Sequence, residues 1–278
     1  MIIISYPRAL AVSLATISLA ACSAGGNQNL TPMTEAASAS RTNPAVGATV
    51  LHSFLGGATD GSAPVSGLTK VGNLLYGATG GGGQYGKGTI FSISPDGTGF
   101  TILHSFKNSG SYTNLINVNG ILYGTNQHGG TGSNGSVFSI TPAGAFNTVY
   151  SFKGGRRDGA QPLAALTNLR GVLYGTTSSG GEAINGNGTC RDCGTIFSVS
   201  TTGQEKVLYF FGSKTEDGLD PQSKLVEVGG KLYGTTLRGG NSGFNGGGTV
   251  FSVTSGGKEE VLHAFKYETD GGAALRVR

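Results

Sequence analysis

The chain has 278 residues, of which 51 are glycine, 8 are proline and only 12% are charged, with a formal charge of +4. Glycine and proline make up about a fifth of it, short of the ~25–30% that marks a disordered low-complexity chain. The glycines follow no three-residue period, which excludes collagen. An ordinary helical domain is excluded as well, since each interior glycine would cost ~1 kcal/mol. A charge of +4 is too small to announce a nucleic-acid partner.

Residues 1–21 carry Arg8 and then an apolar run from Ala9 to Ala21. That run is too short for a permanent membrane span and suits the core of a signal peptide. It ends in Leu19-Ala20-Ala21-Cys22, which resembles the bacterial lipobox. The resemblance implies that the Cys22 thiol is acylated and that Cys22 becomes the first residue of the mature chain. More than one acyl chain makes a stable membrane anchor. Ser23 follows the cysteine. By analogy with lipoprotein sorting in Gram-negative bacteria, a residue other than aspartate there points to the outer membrane, so the expected location is the bacterial cell envelope. Residues 22–45 are mostly small and polar, the composition of a flexible tether.

From residue 46 to 278 the chain repeats itself. Leu75-Tyr76-Gly77-Ala78-Thr79 recurs at Leu122-Tyr123-Gly124-Thr125, Leu173-Tyr174-Gly175-Thr176-Thr177 and Leu232-Tyr233-Gly234-Thr235-Thr236. A second block, Gly88-Thr89-Ile90-Phe91, recurs at Gly135, Gly194 and Gly248. A third, Leu51-His52-Ser53-Phe54, returns at Leu103, Val149, Leu208 and Leu262. A weaker strand, Leu68-Thr69-Lys70-Val71 and its copies, precedes the first block, and two-residue hairpin turns such as Asn119-Gly120 follow it. The blocks are rich in β-branched and aromatic residues and are punctuated by Gly, Asn, Asp and Pro, as strands are. Four strands in roughly 50 residues is the arithmetic of a propeller blade. The expected fold is therefore all-β: a β-propeller-like array of about four four-stranded blades plus a partial fifth repeat.

The combination of Leu-Tyr-Gly-Thr-Thr, Gly-Gly, Gly-Thr-Val-Phe and Asp-Gly-x-x-Pro resembles the Gloeo/Verruco-type tandem repeat over residues ~46–271. The resemblance implies an exported, propeller-like protein with one of several kinds of anchor. It implies no activity, because the function of that family is not established.

The third block occurs five times and the others four, so either its first or its fifth copy is surplus. Asp270-Gly271 opens a fifth repeat and the chain stops at Arg278. Three expectations follow: a shortened gene product, an open arc, or a ring completed by another chain. An unpaired strand edge would invite self-association.

Few residues point to chemistry. Cys190 and Cys193 close the longest insertion and are expected to form a disulfide in an oxidising compartment. Zinc would need two further ligands. His52, His104 and His263 share a repeat position with Tyr150 and Tyr209, which do not titrate near neutrality, so a structural role is expected. Gly81 to Gly86 satisfies G-x-G-x-x-G but opens no helix of a βαβ unit. Asp60-Gly61, Asp158-Gly159 and Asp217-Gly218 read as turns, with the Asp on the backbone and the Gly at positive φ. Binding is expected where the copies differ. One loop position reads Gly81, His128, Ser179 and Arg238, and Arg156-Arg157 is a unique basic spot suited to an anionic glycan or phosphate.

No catalytic residue, metal or cofactor is assigned. The expected function is a surface-anchored lipoprotein acting as a non-catalytic binding or scaffold module, with a glycan or protein ligand and the membrane as partners. The other reading is a propeller enzyme with its site at the channel mouth, acting on a glycan or other extracellular substrate. Such an enzyme would show unique titratable residues converging from several blades.

Overall fold

In the computed structural model the described residues are 49–108, 114–185, 188–241 and 245–266. The leader, Cys22, the tether and Asp270-Gly271 lie outside them. The chain divides into Met1–Ser53 and Phe54–Arg278. Residues 49–53 of the first unit form no strand.

The second unit is built of antiparallel blades. Blade 1 holds β1 (Gly61–Pro64), β2 (Thr69–Val71), β3 (Leu74–Gly82), β4 (Thr89–Ile93) and β5 (Thr101–Ser105). Blade 2 holds β6 (Ile116–Val118), β7 (Ile121–Asn126), β8 (Ser136–Ile140) and β9 (Phe146–Ser151). A short strand, β10 (Gly159–Ala160), leads into blade 3, which starts with β11 (Thr167–Leu169), β12 (Val172–Thr177) and β13 (Ser179–Gly180). An inserted hairpin, β14 (Glu182–Asn185) and β15 (Gly188–Arg191), follows, and β16 (Thr195–Ser200) and β17 (Glu205–Phe210) complete the blade. Blade 4 holds β18 (Gly218–Pro221), β19 (Val226–Val228), β20 (Lys231–Gly239), β21 (Thr249–Thr254) and β22 (Glu259–Ala264). Each blade runs in sequence order from a short inner strand to an outer one, as β11-β12-β16-β17 does.

The recurring blocks are explained by cross-strand contacts. The glycine of Leu-Tyr-Gly faces the phenylalanine of the Gly-Thr-Ile/Val-Phe block in every blade: Gly77 on Phe91, Gly124 on Phe138, Gly175 on Phe197 and Gly234 on Phe251. The ring lies over the glycine, so closely that a Cβ on Gly175 would stand 2.6 Å from Phe197 Cζ. The threonines pair as well: Thr79 with Thr89 and Thr177 with Thr195 at 2.8 Å, and Thr236 with Thr249 at 2.9 Å. These buried hydroxyls satisfy one another, which is the condition for burying them.

One expectation needs correction. Asp-Gly-x-x-Pro is not a free turn. Gly61, Gly159 and Gly218 start β1, β10 and β18 and pair with Gly82, Gly180 and Gly239. The glycine is there for room rather than for positive φ: a Cβ on Gly159 would stand 2.5 Å from Thr177 Oγ1. The positive φ falls instead on the residue before proline, at Ala63, Gln161 and Asp220. In the last two this turns the N–H onto the preceding blade, Gln161 N to Asn134 O at 2.7 Å and Asp220 N to Cys193 O at 3.0 Å. Of the two copies of the third block that could complete blade 4, the fifth does so, in β22, by pairing with β21, and the first forms no strand.

Adjacent blades are joined by the phenylalanine that ends the third block. Phe106 packs on Phe138 with ring centroids 5.8 Å apart, Phe152 on Phe197 at 5.0 Å and Phe211 on Phe251 at 5.2 Å. Phe54 stands 5.2 Å from Phe91 in the same way. Three buried clusters result among the described residues, one for each junction from blade 1 to blade 4. The inner strands follow suit: β2 lies by β6, β6 by β11 and β11 by β19, with no comparable packing of β19 against β2. The described blades therefore form an open series of four.

Candidate functional site

The cleft that gathers residues peculiar to one copy lies on blade 3. It has a volume of about 360 Å³ and is lined by the 154–156 loop, by Gln161 and Ser179, and by Glu182, Arg191 and Asp192 of the inserted hairpin. Its frame is backbone. Gly181 N donates to Gly155 O at 2.8 Å and Glu182 N to Arg156 O at 2.9 Å, while Asp192 Oδ1 accepts from Gly180 N at 2.5 Å. Cys190 and Cys193 are joined in a disulfide at the base of the hairpin, with Cα atoms 6.1 Å apart. Both sulfurs are buried in the cluster that also holds Phe211 and Leu219, so the hairpin is tied to the blade 3–blade 4 junction.

The charges in the cleft nearly cancel. Arg156 Nε lies 2.7 Å from Glu182 Oε2, and Arg191 Nε lies 3.5 Å from Glu182 Oε1. Glu182 is largely buried while both guanidinium groups reach solvent. With Asp192 on the rim, two cations face two anions.

Of the sequence-based candidates, Arg156 and Ser179 meet in this cleft. Arg157 is exposed beside it. His128 lies in blade 2 and Arg238 in blade 4 at the equivalent place, so the four copy-specific positions do not converge. Ser179 and Arg238 are strand residues rather than loop residues, paired with Ala160 and Leu219, because the Asp-Gly-x-x-Pro strand extends the sheet over them. Glu182, Arg191 and Asp192 escaped the sequence reading, although Arg191 and Asp192 lie between the two cysteines and Glu182 is in the same insertion.

Beneath the 152–158 loop sits a buried acidic nest. Asp158 Oδ2 accepts from Tyr150 Oη at 2.8 Å and Lys153 N at 2.7 Å, and its Oδ1 accepts from Gly159 N. Glu205, on the next blade, joins this group, and its Oε1 is buried with no hydrogen-bond partner among the described residues. Burial, and then the negative charge of Asp158, push the Glu205 carboxyl up to about 7. Burial first, then the hydrogen bond to Asp158, raise the Tyr150 phenol far above its ordinary value. Burial thus favours the uncharged forms of both Glu205 and Tyr150. The copy between blades 3 and 4 uses Tyr209, Asp217 and Glu259, with Lys214 paired to Glu259 at 2.5 Å. At the first junction the same two positions hold His104 and Phe146, stacked 3.9 Å apart, and burial lowers the His104 imidazole.

A carboxyl raised on folding favours the protonated form, so its contribution is full below the unfolded value near 4.5 and is lost as pH rises through about 7. Thermal unfolding is expected to show a midpoint that falls from about pH 5 to about pH 8, with a shallower fall in Glu205→Gln. A wild-type midpoint level across that range, or a Gln variant with the same slope, would refute the assignment.

The blade geometry and the recurring blocks meet in one sequence family, since the Gloeobacter/Verrucomicrobia repeat model matches residues 39–190. The chain belongs to that family. The matched span of this Gloeobacter/Verrucomicrobia repeat protein includes Tyr150, Asp158 and the hairpin as far as Cys190, while Glu205 lies beyond it. Among solved structures, the chain is similar to one in a nidogen/laminin complex, at 16% identity and a TM-score of 0.43, covering 70% of this chain and 59% of that one. A putative TolB from Agrobacterium tumefaciens is 16% identical with a TM-score of 0.42, covering 70% and 62%. The tricorn protease is 14% identical with a TM-score of 0.41, covering 75% and 18%. This chain thus spans less than two thirds of each. No curated protein matches it.

Proposed function

We propose that this protein is a non-catalytic binding module, displayed at the bacterial outer membrane by a lipid on Cys22, whose cleft on blade 3 takes an uncharged polar ligand of the glycan class. The supporting observation is a division of labour among residues. Those repeated in all copies are consumed by glycine–phenylalanine and blade–blade packing, while the cleft is made of residues found in one copy: Arg156, Ser179, Glu182 and Arg191. Scaffolds that hold strands constant and vary what they display are built this way. Balanced charge in the cleft favours a neutral ligand with many hydroxyls over a phosphate. The exposed guanidinium groups and Ser179 supply donors, and the carboxylates and backbone carbonyls accept.

Two measurements test the two halves. Metabolic labelling with an alkyne-bearing fatty acid is expected to mark the wild type and not Cys22→Ser; equal labelling removes the anchor. A glycan array is expected to return neutral oligosaccharides whose affinity falls tenfold or more, ~1.4 kcal/mol, in Glu182→Ala. An array with no binder, or a binder indifferent to Glu182, removes the ligand assignment.

A further inference from the structure

The hairpin that supplies half of the blade 3 cleft lies outside the blade 3 sheet. β14 and β15 pair with each other and with no strand of β11-β12-β16-β17. A two-stranded hairpin by itself is marginally stable in water. The chain just beyond it is well anchored. Asp192 N donates to Gly181 O at 2.9 Å, Gly194 N donates to Gly180 O at 3.0 Å, and Cys193 O accepts from Asp220 N of blade 4. The disulfide carries that anchorage back to the end of β15. Cys190 is seated in the blade 3–blade 4 junction where residue 212 has no side chain, since a Cβ on Gly212 would stand 2.5 Å from Cys190 Cβ.

The two residues enclosed by the bridge, Arg191 and Asp192, both line the cleft. Arg191 faces Glu182, and Asp192 holds Gly180 N. Asp192 also keeps a φ of +65°. A side-chain-bearing residue persists in that conformation only where its surroundings fix it. The blade series does not draw on the bridge in the same way. Blades 1 and 2 contain no cysteine, and the two junctions up to blade 3 are closed by phenylalanines and aliphatic residues.

We infer that the Cys190–Cys193 bridge is a redox control on the cleft, which is assembled when the pair is oxidised and lost when it is reduced. The inference rests on the cleft and the export proposed above, and it makes the module competent to bind only after it leaves the cytoplasm. Thiols stay reduced there and are oxidised outside it. Forming the bridge takes one hydrogen from each thiol. The two protons and two electrons pass to a disulfide-bearing oxidant, which leaves as a dithiol. Cys190 and Cys193 are then only 6% and 4% exposed, so a reductant reaches them slowly and the control acts in one direction.

The test uses the full chain with Cys22→Ser, which leaves Cys190 and Cys193 as its cysteines. One sample is refolded from urea with air oxidation and a second in dithiothreitol throughout. A third carries Cys190→Ser and Cys193→Ser in addition. Thiol titration fixes the state, with no free thiol in the first sample and two in the second. Amide hydrogen exchange is expected to run tenfold or more faster at Gly180, Glu182 and Asp192 in the second and third samples. In β4 and β8 it is expected to stay within twofold of the first. Equal exchange at the three cleft amides in all samples would show that the hairpin stands without the bridge, and overturns the inference. Acceleration that reaches β4 and β8 equally would show that the bridge holds the whole fold rather than the cleft, which overturns it too. Neither readout needs a ligand, so a glycan array with no binder removes the ligand assignment and leaves the redox control standing.

Discussion

Phe211→Ala is expected to lower the unfolding free energy by about 3–5 kcal/mol, the range for emptying a fully buried aromatic site. Phe211 is buried and meets Phe251 edge-on across the junction between blades 3 and 4, beside Leu219, Leu225 and the Cys190–Cys193 bridge. Residues of β12, β16, β18, β20 and β21 and a disulfide hold the walls in place, so the site has little freedom to collapse, and a rigid cavity is the costly kind. Urea unfolding followed by far-ultraviolet circular dichroism measures the loss. Leu55→Ala serves as the control, since Leu55 is highly exposed, and it should stay within ~0.5 kcal/mol of wild type. Equal losses in the two variants would show that the phenylalanine is not what joins the blades.

The second large effect is at Gly194, where two costs fall on one residue. Its φ is +89°, a conformation L side chains rarely adopt. Its missing side chain also leaves room for the next blade, since a Cβ there would press on the Thr177 carbonyl and stand 2.6 Å from Pro221 Cδ. Left-handed strain contributes ~1–2 kcal/mol and overpacking a further ~1–3 kcal/mol. Gly194→Ala should therefore lose about 2–5 kcal/mol in the same urea titration. Gly171→Ala isolates the first cost, because Gly171 has φ +85° and nothing within 4 Å of its would-be Cβ. If both alanines cost the same, the seat of Pro221 on Gly194 contributes nothing to blade packing. The equivalent seat of Pro162 on Gly135 should then be dispensable too.

Particular residues show why some of this was legible in advance. Leu-Tyr-Gly and Gly-Thr-Ile/Val-Phe recur together because Gly175 and Phe197 are a single contact, so neither can vary alone. The Asp-Gly-x-x-Pro segment was misread because Asp, Gly and Pro are also what a turn uses, and only the pairing of Gly159 with Gly180 reveals a strand. The cleft was half legible. Arg156 and Ser179 stood out as differences between copies, yet Glu182 lies 26 positions from Arg156 and its ion pair leaves no local pattern. The buried nest was not legible at all. Tyr150 and Glu205 come from different blades, and a glutamate at the start of an outer strand looks like any solvated residue until the preceding blade covers it.

By itself the sequence determined the all-β class, the repeat, its period and the number of blades, because each rests on spacing within one blade. It also set the family, through blocks that recur in one order. Only the tertiary structure decided which copy of the third block completes blade 4, which residues frame the cleft, and that the four blades form an open series. These depend on how one blade meets the next. A repeat carries the same contact surfaces whether its neighbour is present or absent, so its sequence is silent on whether the series closes.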